Sequence, residues 1–376
     1  MSAPGSIVFA SRIEGGESRR EADAPAGGGH GRPAWLRNLS AAQRFRLTVV
    51  VLLAVLLVAF VTSFLIGRYS ISVSMVIDIL LSKVATVEQY WEETLGVVVL
   101  DVRLPRIVLA ILVGGALSAS GASYQTLFKN PLVSPDILGV SAGAGFGAAL
   151  AMINNANWVV IQGSAFLFGL VAVIMAYAIA NLFGGKSITV LILGGIVVSS
   201  LFQAMLSIIK TLADTEHQLP SITFWLMGSL GRGVNRDVLV MLPALAVSML
   251  MLVLFRHHIN ALAAGEDEAR TMGVNVTLVK AVIVTASTLM TVCAVSIAGI
   301  VGWVGLVIPH LARMLSGAHY SRILIVSFLL GGLFLLCVDN IIRGVPDVEV
   351  PLGVLTAIIG TPIFAVLLPR LRQGWT

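Results

Sequence analysis

Two arginines and an aspartate–arginine pair are the residues whose spacing most clearly predicts an interaction. Arg103 and Arg106 flank Pro105, a residue that suits the first turn of a helix. Asp339 and Arg343 lie four residues apart, so a helix would place them on one face, where they can form an ion pair. All stand near the ends of apolar runs. The residues alone therefore favour headgroup anchors and a helix-end salt bridge.

Other candidates for chemistry are few. His310 follows Pro309 in an apolar run, where a lone histidine more often makes a structural hydrogen bond than binds a ligand. Cys293 and Cys337 also lie in apolar runs, outside any CxxC pattern. No GxxxxGK[ST] nucleotide motif is present. We therefore predict no catalytic residue, no metal site and no cofactor bound by this chain, and no nucleic-acid partner.

Three glycines recur every four residues. Gly139, Gly143 and Gly147 fall in an apolar run with no strand before it, which argues against a phosphate-binding loop. Small residues at this spacing let two membrane helices approach closely. We predict a helix-packing face here.

The composition indicates that lipid is the solvent for most of the chain. Of its 376 residues, 57% are hydrophobic and only 11% are charged. Runs of about 18 or more apolar residues are long enough to cross a bilayer. The sequence predicts an all-α membrane protein with about ten transmembrane helices, at 45–66, 104–124, 138–154, 158–183, 188–209, 238–255, 277–301, 303–317, 322–342 and 352–369. The eighth run is short and contains Pro309, so it is predicted to be a partial crossing.

The segments outside these runs predict orientation. Residues 1–44 read as a disordered cytoplasmic tail, and residues 45–376 as the ten-span domain. With the N-terminus in the cytoplasm, most of the 24 lysines and arginines fall on that side, as the positive-inside rule requires. Both termini are then cytoplasmic. The outer loops, 67–103 and 210–237, are expected to hold short interfacial helices. The inner segment 256–276 is polar and is expected to be helical from Ala261 to Met272, with breaks at Gly265 and Gly273.

Most predicted spans contain no Asp, Glu, Lys or Arg in their interior. An ion-coupled secondary transporter usually carries ionisable groups there, so this class is disfavoured but stays an alternative. A membrane-embedded enzyme would need clustered His, Asp or Glu, and only His310 is present. An ATP-driven transporter would need its ATPase on another chain.

Five collinear segments resemble the FecCD family, the permease subunits of ABC importers for iron-siderophores, haem and cobalamin. They are 103–150 (RLPRIVLAILVGG to GAAL), 224–231 (FWLMGSLG), 264–274 (AGEDEARTMGV), 299–315 (GIVGWVGLVIPHLARML) and 339–368 (DNIIRGVPDVEVPLG to AVLL). The resemblance implies a type II ABC importer permease fold in the bacterial cytoplasmic (inner) membrane. It also implies a homodimer, two cytoplasmic ATPase subunits that use ATP and Mg, and an extracytoplasmic substrate-binding protein.

The resemblance assigns roles to three groups of residues. Segment 261–276 resembles helices that couple the permease to its ATPase, through Ala263, Gly265, Glu266, Ala269 and Gly273. Arg103, Arg106 and Arg343 would dock acidic residues of the binding protein, although Asp339 could instead hold Arg343. The fifth span would line the translocation pathway with Ser199, Ser200, Gln203, Met205 and Ser207.

The substrate implied by the resemblance is a metal chelate. The form NPLVSPDILGVSAG differs from the NPLA type found in similar cobalamin and haem permeases, which favours a ferric siderophore. Haem, cobalamin and molybdate remain alternatives.

Overall fold

The helical elements follow the apolar runs of the sequence. The computed structural model describes residues 40–67, 69–83, 85–86, 88–183, 188–345 and 350–373, and these contain helices and no strand. The predicted tail lies outside the described residues up to position 39. A helix already begins at Ala41, because Ala41, Ala42 and Gln43 favour helix and extend the apolar run by one turn.

Fifteen α-helices are present in the described part of the chain. They are α1 Ala41–Ser63, α2 Val73–Leu81, α3 Glu93–Val97, α4 Leu104–Leu127, α5 Val140–Ile153, α6 Trp158–Phe183, α7 Ile188–Leu212, α8 Gln218–Leu226, α9 Asn235–Leu254, α10 Arg256–Ala264, α11 Glu266–Thr271, α12 Val276–Ala298, α13 Val304–Ser316, α14 Tyr320–Gly344 and α15 Leu352–Gln373. A π-helical turn, Val98–Arg103, precedes α4, and a short 3-10 helix, Pro135–Leu138, precedes α5.

Ten of these helices coincide with the ten predicted runs, namely α1, α4 to α7, α9 and α12 to α15. Among the described residues, 6 helices are long and apolar enough to cross a membrane by themselves: α1, α6, α7, α9, α12 and α14. The eighth run forms α13, which has only 13 residues and contains Pro309. The polar segments form short helices, as predicted for the loops that contain α2, α3 and α8. The chain is therefore a multi-pass helical membrane protein.

Helix α4 forms the centre of the bundle. It is buried almost throughout and packs against α14, α12, α13 and α9. Gly114 on α4 faces Gly331 on α14 so closely that a methyl group on either would overlap the other's carbonyl oxygen. A methyl group at Gly121 would likewise overlap the carbonyl oxygen of Gly305 on α13. Contact between backbones, rather than apolar burial, brings helices together in lipid.

Hydroxyl groups join α4 to its neighbours within the core. Ser120 Oγ lies 2.7 Å from Thr291 Oγ1 on α12. Ser123 Oγ lies 2.8 Å from the hydroxyl of Tyr320 at the start of α14. Buried hydroxyls need such partners, because an unpaired polar group in the interior is costly. These bonds hold α4, α12 and α14 in one register.

Candidate functional site

The predicted ATPase-coupling segment folds into two short helices, α10 and α11, which we call the helix pair. The break falls at Gly265, whose φ of 175° is extended backbone, and α11 ends before Gly273, whose φ of +77° lies in the left-handed region that favours glycine. Both breaks were predicted. The helix pair begins at Arg256, directly after α9, and ends at Thr271, so its bounds differ from the predicted 261–276, while the coupling role stays a prediction.

The five predicted coupling residues do not share one exposed surface. Ala263 and Gly273 are exposed, whereas Gly265 and Ala269 are buried. The carboxylate of Glu266 lies 2.5 Å from Nζ of Lys280 on α12, so an internal ion pair occupies it. Their proposed role as a joint contact surface therefore fits only the exposed members.

Two exposed side chains of the helix pair were missed. Met272 is 69% exposed directly before Gly273, and the side chain of Asp267 is 91% exposed. A large, exposed apolar side chain beside charged residues is typical of a contact surface. The signal in the sequence was the single Met in a polar segment.

The three arginines of the docking prediction surround one buried carboxylate, and we call Arg103, Arg106, Arg343 and Asp339 the arginine cluster. Asp339 is fully buried on α14 and pairs with Arg106 Nη2 at 2.8 Å and with Arg343 Nε at 3.0 Å. The predicted pair of Asp339 and Arg343 is confirmed. The second partner, Arg106 on α4, was not foreseen.

Arg103 and Arg343 are bound internally. Arg103 is 4% exposed and donates to the carbonyl oxygens of Phe64 and Tyr69. Burial lowers the pKa of Arg103 from its ordinary value, yet a guanidinium keeps its charge in proteins. Arg343 Nη1 donates to the carbonyl oxygen of Ser63 at 3.0 Å. Both side chains are thus held by groups of the chain itself, and their docking to acidic residues of a binding protein stays a prediction.

The arginine cluster nevertheless borders open space. A cavity of about 320 Å³ is lined by all three arginines, with Gly67, Tyr69 and Ser229 among the other residues. Its described lining includes no acidic residue. Among the described groups around the cavity, three guanidinium groups stand against the one carboxylate of Asp339, so these groups together carry a net positive charge. Such a cavity can accept a carboxylate from outside.

The cluster and the helix pair lie at opposite ends of the same helices. Arg106 is in the first turn of α4, whereas Lys129, just past its other end, donates to the carbonyl oxygen of Ala264 at 3.4 Å. Helix α4 has 24 residues and is about 36 Å long. Helix α14 likewise begins at Tyr320 beside α10 and reaches Asp339 in the cluster.

Three of the predicted pathway residues share a cavity along α7. Ser199, Ser200 and Gln203 line an open depression of about 660 Å³, together with Ser134 and Asp136. Ser207 is exposed outside this lining, and its hydroxyl donates to the carbonyl oxygen of Gln203.

Met205 does not face this depression, and Asp136 was missed. Met205 packs against an apolar cluster that contains Phe202, and this contact does not support its predicted place in the pathway. The helical period turns residue 205 about 200° away from residue 203. Asp136 reaches the depression because the chain between α4 and α5 folds back against Gly195. The position of that turn depends on packing between distant segments, and the residues SPDILG contain no local pattern that predicts it.

Two of the three predicted packing glycines lie at a helix contact. A methyl group at Gly143 would overlap the carbonyl oxygen of Phe168, and one at Gly147 that of Ser164, both on α6. Gly139 lies just before α5 with φ +86° and faces Ser199 on α7 instead. The single helix face predicted for all three was wrong for Gly139, since the helix begins after it.

The chain is similar to known transport proteins over most of its length. Residues 55–370 match the FecCD transport family. A molybdate import system permease protein of Haemophilus influenzae is 39% identical over 85% of this chain and 94% of that protein. An iron chelatin transport system permease protein of Helicobacter pylori is 35% identical over 74% of this chain and 84% of that protein.

A solved structure has the same fold. It is an inward-facing conformation of a metal-chelate type ABC transporter, 38% identical, with a TM-score of 0.75 over 86% of this chain and 98% of that one. The ten apolar helices, the family match and this structural similarity agree. The chain therefore belongs to the FecCD transport family, as an ABC transporter permease.

Proposed function

We propose that this chain is the membrane-spanning subunit of an ATP-driven importer that carries a metal chelate, a ferric siderophore first of all, into the cytoplasm. Two copies would form the pathway, two separate ATPase subunits would use ATP and Mg, and a binding protein would deliver the substrate. The observation that carries the proposal is the placement of the helix pair and the arginine cluster at opposite ends of α4 and α14, in a chain of this family.

The helix pair is the ATPase contact in this proposal. Met272 and Asp267 project outward, while Glu266 holds the pair to α12 through Lys280. A partner that moves Met272 would therefore also move the start of a membrane span. This assignment places the helix pair, with both termini of the chain, at the cytoplasmic face of the bacterial inner membrane.

The arginine cluster is the binding-protein contact. The described lining of its cavity carries three guanidinium groups and no acidic residue, and the side chain of Arg106 remains 18% exposed, so an acidic side chain can reach the guanidinium groups from outside. Bidentate bonds from arginine to carboxylate would give this contact both strength and orientation. Because Asp339 already forms hydrogen bonds with Arg106, the incoming carboxylate would compete with Asp339 for the guanidinium group of Arg106.

The pathway in this proposal runs along the exposed face of α7. Ser200 satisfies its own hydroxyl through the carbonyl oxygen of Ile196, at 2.9 Å, and most neighbouring exposed residues are apolar. A face with few free hydrogen-bonding groups holds a bulky chelate weakly. Selectivity is then left to the binding protein.

Molybdate is the second candidate substrate, favoured by the 39% identical relative from Haemophilus influenzae. Haem and cobalamin are further alternatives within the same architecture. The residues of α7 do not distinguish these substrates, because hydroxyl and amide groups can contact any of them.

The deciding experiment is uptake by the reconstituted complex. Proteoliposomes that contain the permease, its ATPase and its binding protein would be supplied with radiolabelled ferric siderophore or molybdate. Each uptake measurement would be made with and without ATP on the side of the membrane that carries the ATPase. We expect ATP-dependent accumulation of the iron chelate. Accumulation of molybdate but not of the iron chelate would show that molybdate is the substrate. Uptake by the permease alone, driven by an ion gradient, would contradict the proposed ATP-driven importer.

A further inference from the structure

Asn260 joins the helix pair to a membrane span. Its Oδ1 accepts a hydrogen bond from the backbone N–H of Tyr320 at 2.8 Å, and its Nδ2 donates to Ser321 Oγ at 3.1 Å. Both partners lie in the first turn of α14, whereas Asn260 lies on α10. The two helices are 60 residues apart in the chain at this contact.

This contact supplies a cap that α14 lacks in its own sequence. The first N–H groups of a helix have no partner within the helix and are usually bonded by the residue just before it. Here that residue is His319, whose side chain makes no such bond. Asn260 of α10 takes over the task, so the start of α14 is completed by another element.

Helix α14 is fixed to α4 along its whole length. Tyr320 bonds Ser123 at one end, Gly331 meets Gly114 near the middle, and Asp339 pairs with Arg106 at the other end. Two helices joined at three levels move as one body. Whatever displaces Tyr320 therefore displaces the arginine cluster.

The other bonds of the helix pair connect it to a helix other than α14, or are weaker than those of Asn260. Glu266 connects α11 to Lys280 on α12 rather than to α14. Lys129 reaches Ala264 only at 3.4 Å and is solvent-exposed, which makes its bond a weak constraint. Asn260, half-buried and bonded twice to α14, provides the most direct connection to the body formed by α4 and α14.

We propose that Asn260 is a positioning residue that clamps the helix pair to α14, so that movement of the ATPase contact is transmitted through α14 and α4 to the arginine cluster. This proposal rests on the proposed function. The proposed role is specific to Asn260, whose side chain bonds α14 and not an external partner. It is therefore needed neither to pack the helices nor to bind the ATPase.

The test compares transported substrate per ATP hydrolysed in complexes that carry single substitutions. Asn260→Ala removes both bonds to α14. We expect ATP hydrolysis to continue while uptake per ATP falls by at least about threefold, the scale expected when a coupling contact is lost. Asn260→Asp keeps an acceptor for the Tyr320 N–H and should restore most of the ratio, which a general loss of stability would not explain.

The matched control is Asn157→Ala. Asn157 caps the start of α6 within its own segment, by accepting a hydrogen bond from the N–H of Val160 at 3.0 Å, and it lies outside the coupling segment 261–276. Its loss should reduce stability without changing the ratio of uptake to hydrolysis. If Asn260→Ala does not assemble, Ser321→Ala removes one of the two clamp bonds and is expected to lower the ratio by itself.

The outcomes separate the clamp from the proposed function. A wild-type ratio in Ser321→Ala, and in Asn260→Ala where it assembles, would overturn the clamp while leaving the importer intact. Absence of ATP-dependent uptake in the unsubstituted complex would instead overturn the proposed function.

Discussion

Asp339 on α14 pairs with Arg106 on α4 across 233 residues of sequence, with Oδ1 2.9 Å from Nε and 2.8 Å from Nη2. The same carboxylate also lies 3.0 Å from Nε of Arg343. Both oxygens of Asp339 are thus used, on two arginines from two helices. This shared carboxylate holds one end of the two central helices together.

Substitution of Asp339 should be strongly destabilising. Asp339→Asn keeps the size of the side chain but leaves Arg106 and Arg343 facing each other with no counter-charge. Breaking a buried pair in this way costs about 3 kcal/mol. A lower thermal unfolding temperature of the purified protein in detergent would show it. Glu216→Gln, at an exposed acidic residue on a loop, serves as control and should leave the unfolding temperature unchanged.

The close approach of α4 and α14 should tolerate no side chain at Gly331. In Gly331→Ala the new methyl group would overlap Ser118 Oγ and the carbonyl oxygen of Gly114. Such overpacking typically costs about 1–3 kcal/mol. A methyl group at Gly163 on α6 would have no described atom within 4 Å apart from its chain neighbours and the adjacent backbone of its own helix, so Gly163→Ala should be neutral or slightly stabilising. Equal unfolding temperatures for the two variants would contradict the described packing.

The exposed methionine of the helix pair should control ATPase binding. Met272→Glu places a charge where we propose an apolar contact, and loss of an interface anchor costs about 2 kcal/mol, or roughly thirtyfold in Kd. Titration of the ATPase onto permease in nanodiscs measures this change. Leu212→Glu puts the same charge on a similarly exposed leucine, at the far end of α7 from the helix pair, and should not alter the Kd. Unchanged binding by Met272→Glu would contradict the assignment.

The depression along α7 should be sensitive to bulk. Gln203→Trp fills part of a space of about 660 Å³ and is expected to slow the initial rate of substrate uptake while ATP hydrolysis continues. Leu201 is also exposed but lies on nearly the opposite side of α7 from Gln203, because two residues correspond to about 200° of helical rotation. Leu201→Trp is therefore the control. If both variants transport at the wild-type rate, the pathway lies elsewhere.

Local patterns predicted the features that depend on neighbouring residues. The ten apolar runs, Pro105 at the start of α4, the breaks at Gly265 and Gly273, and the pair of Asp339 and Arg343 all follow from spacing within one turn or one run. The physical causes are the length of an apolar run, a fixed backbone φ and an i, i+4 contact. Each of them acts within one short stretch of the chain.

Features that depend on contacts between distant segments could not be predicted from the sequence. Arg106 and Asp339 are 233 residues apart, so no periodicity relates them. Asp136 reaches the α7 depression only because the preceding chain folds back onto Gly195. The inward orientation of Arg103 likewise requires the carbonyl groups of another segment, at Phe64 and Tyr69. Each of these is decided by how helices pack.

Helix α13 connects this packing to the thickness of the bilayer. Its 13 residues span about 20 Å, whereas the hydrocarbon layer is about 30 Å thick. It cannot match the membrane by itself and is instead covered by α4, α14, α15 and α1, which it contacts. Lipids with longer or shorter chains would therefore tilt other long helices, such as α6 and α7, before they disturbed α13. The protein adapts to its membrane at the periphery and keeps a fixed length at its centre.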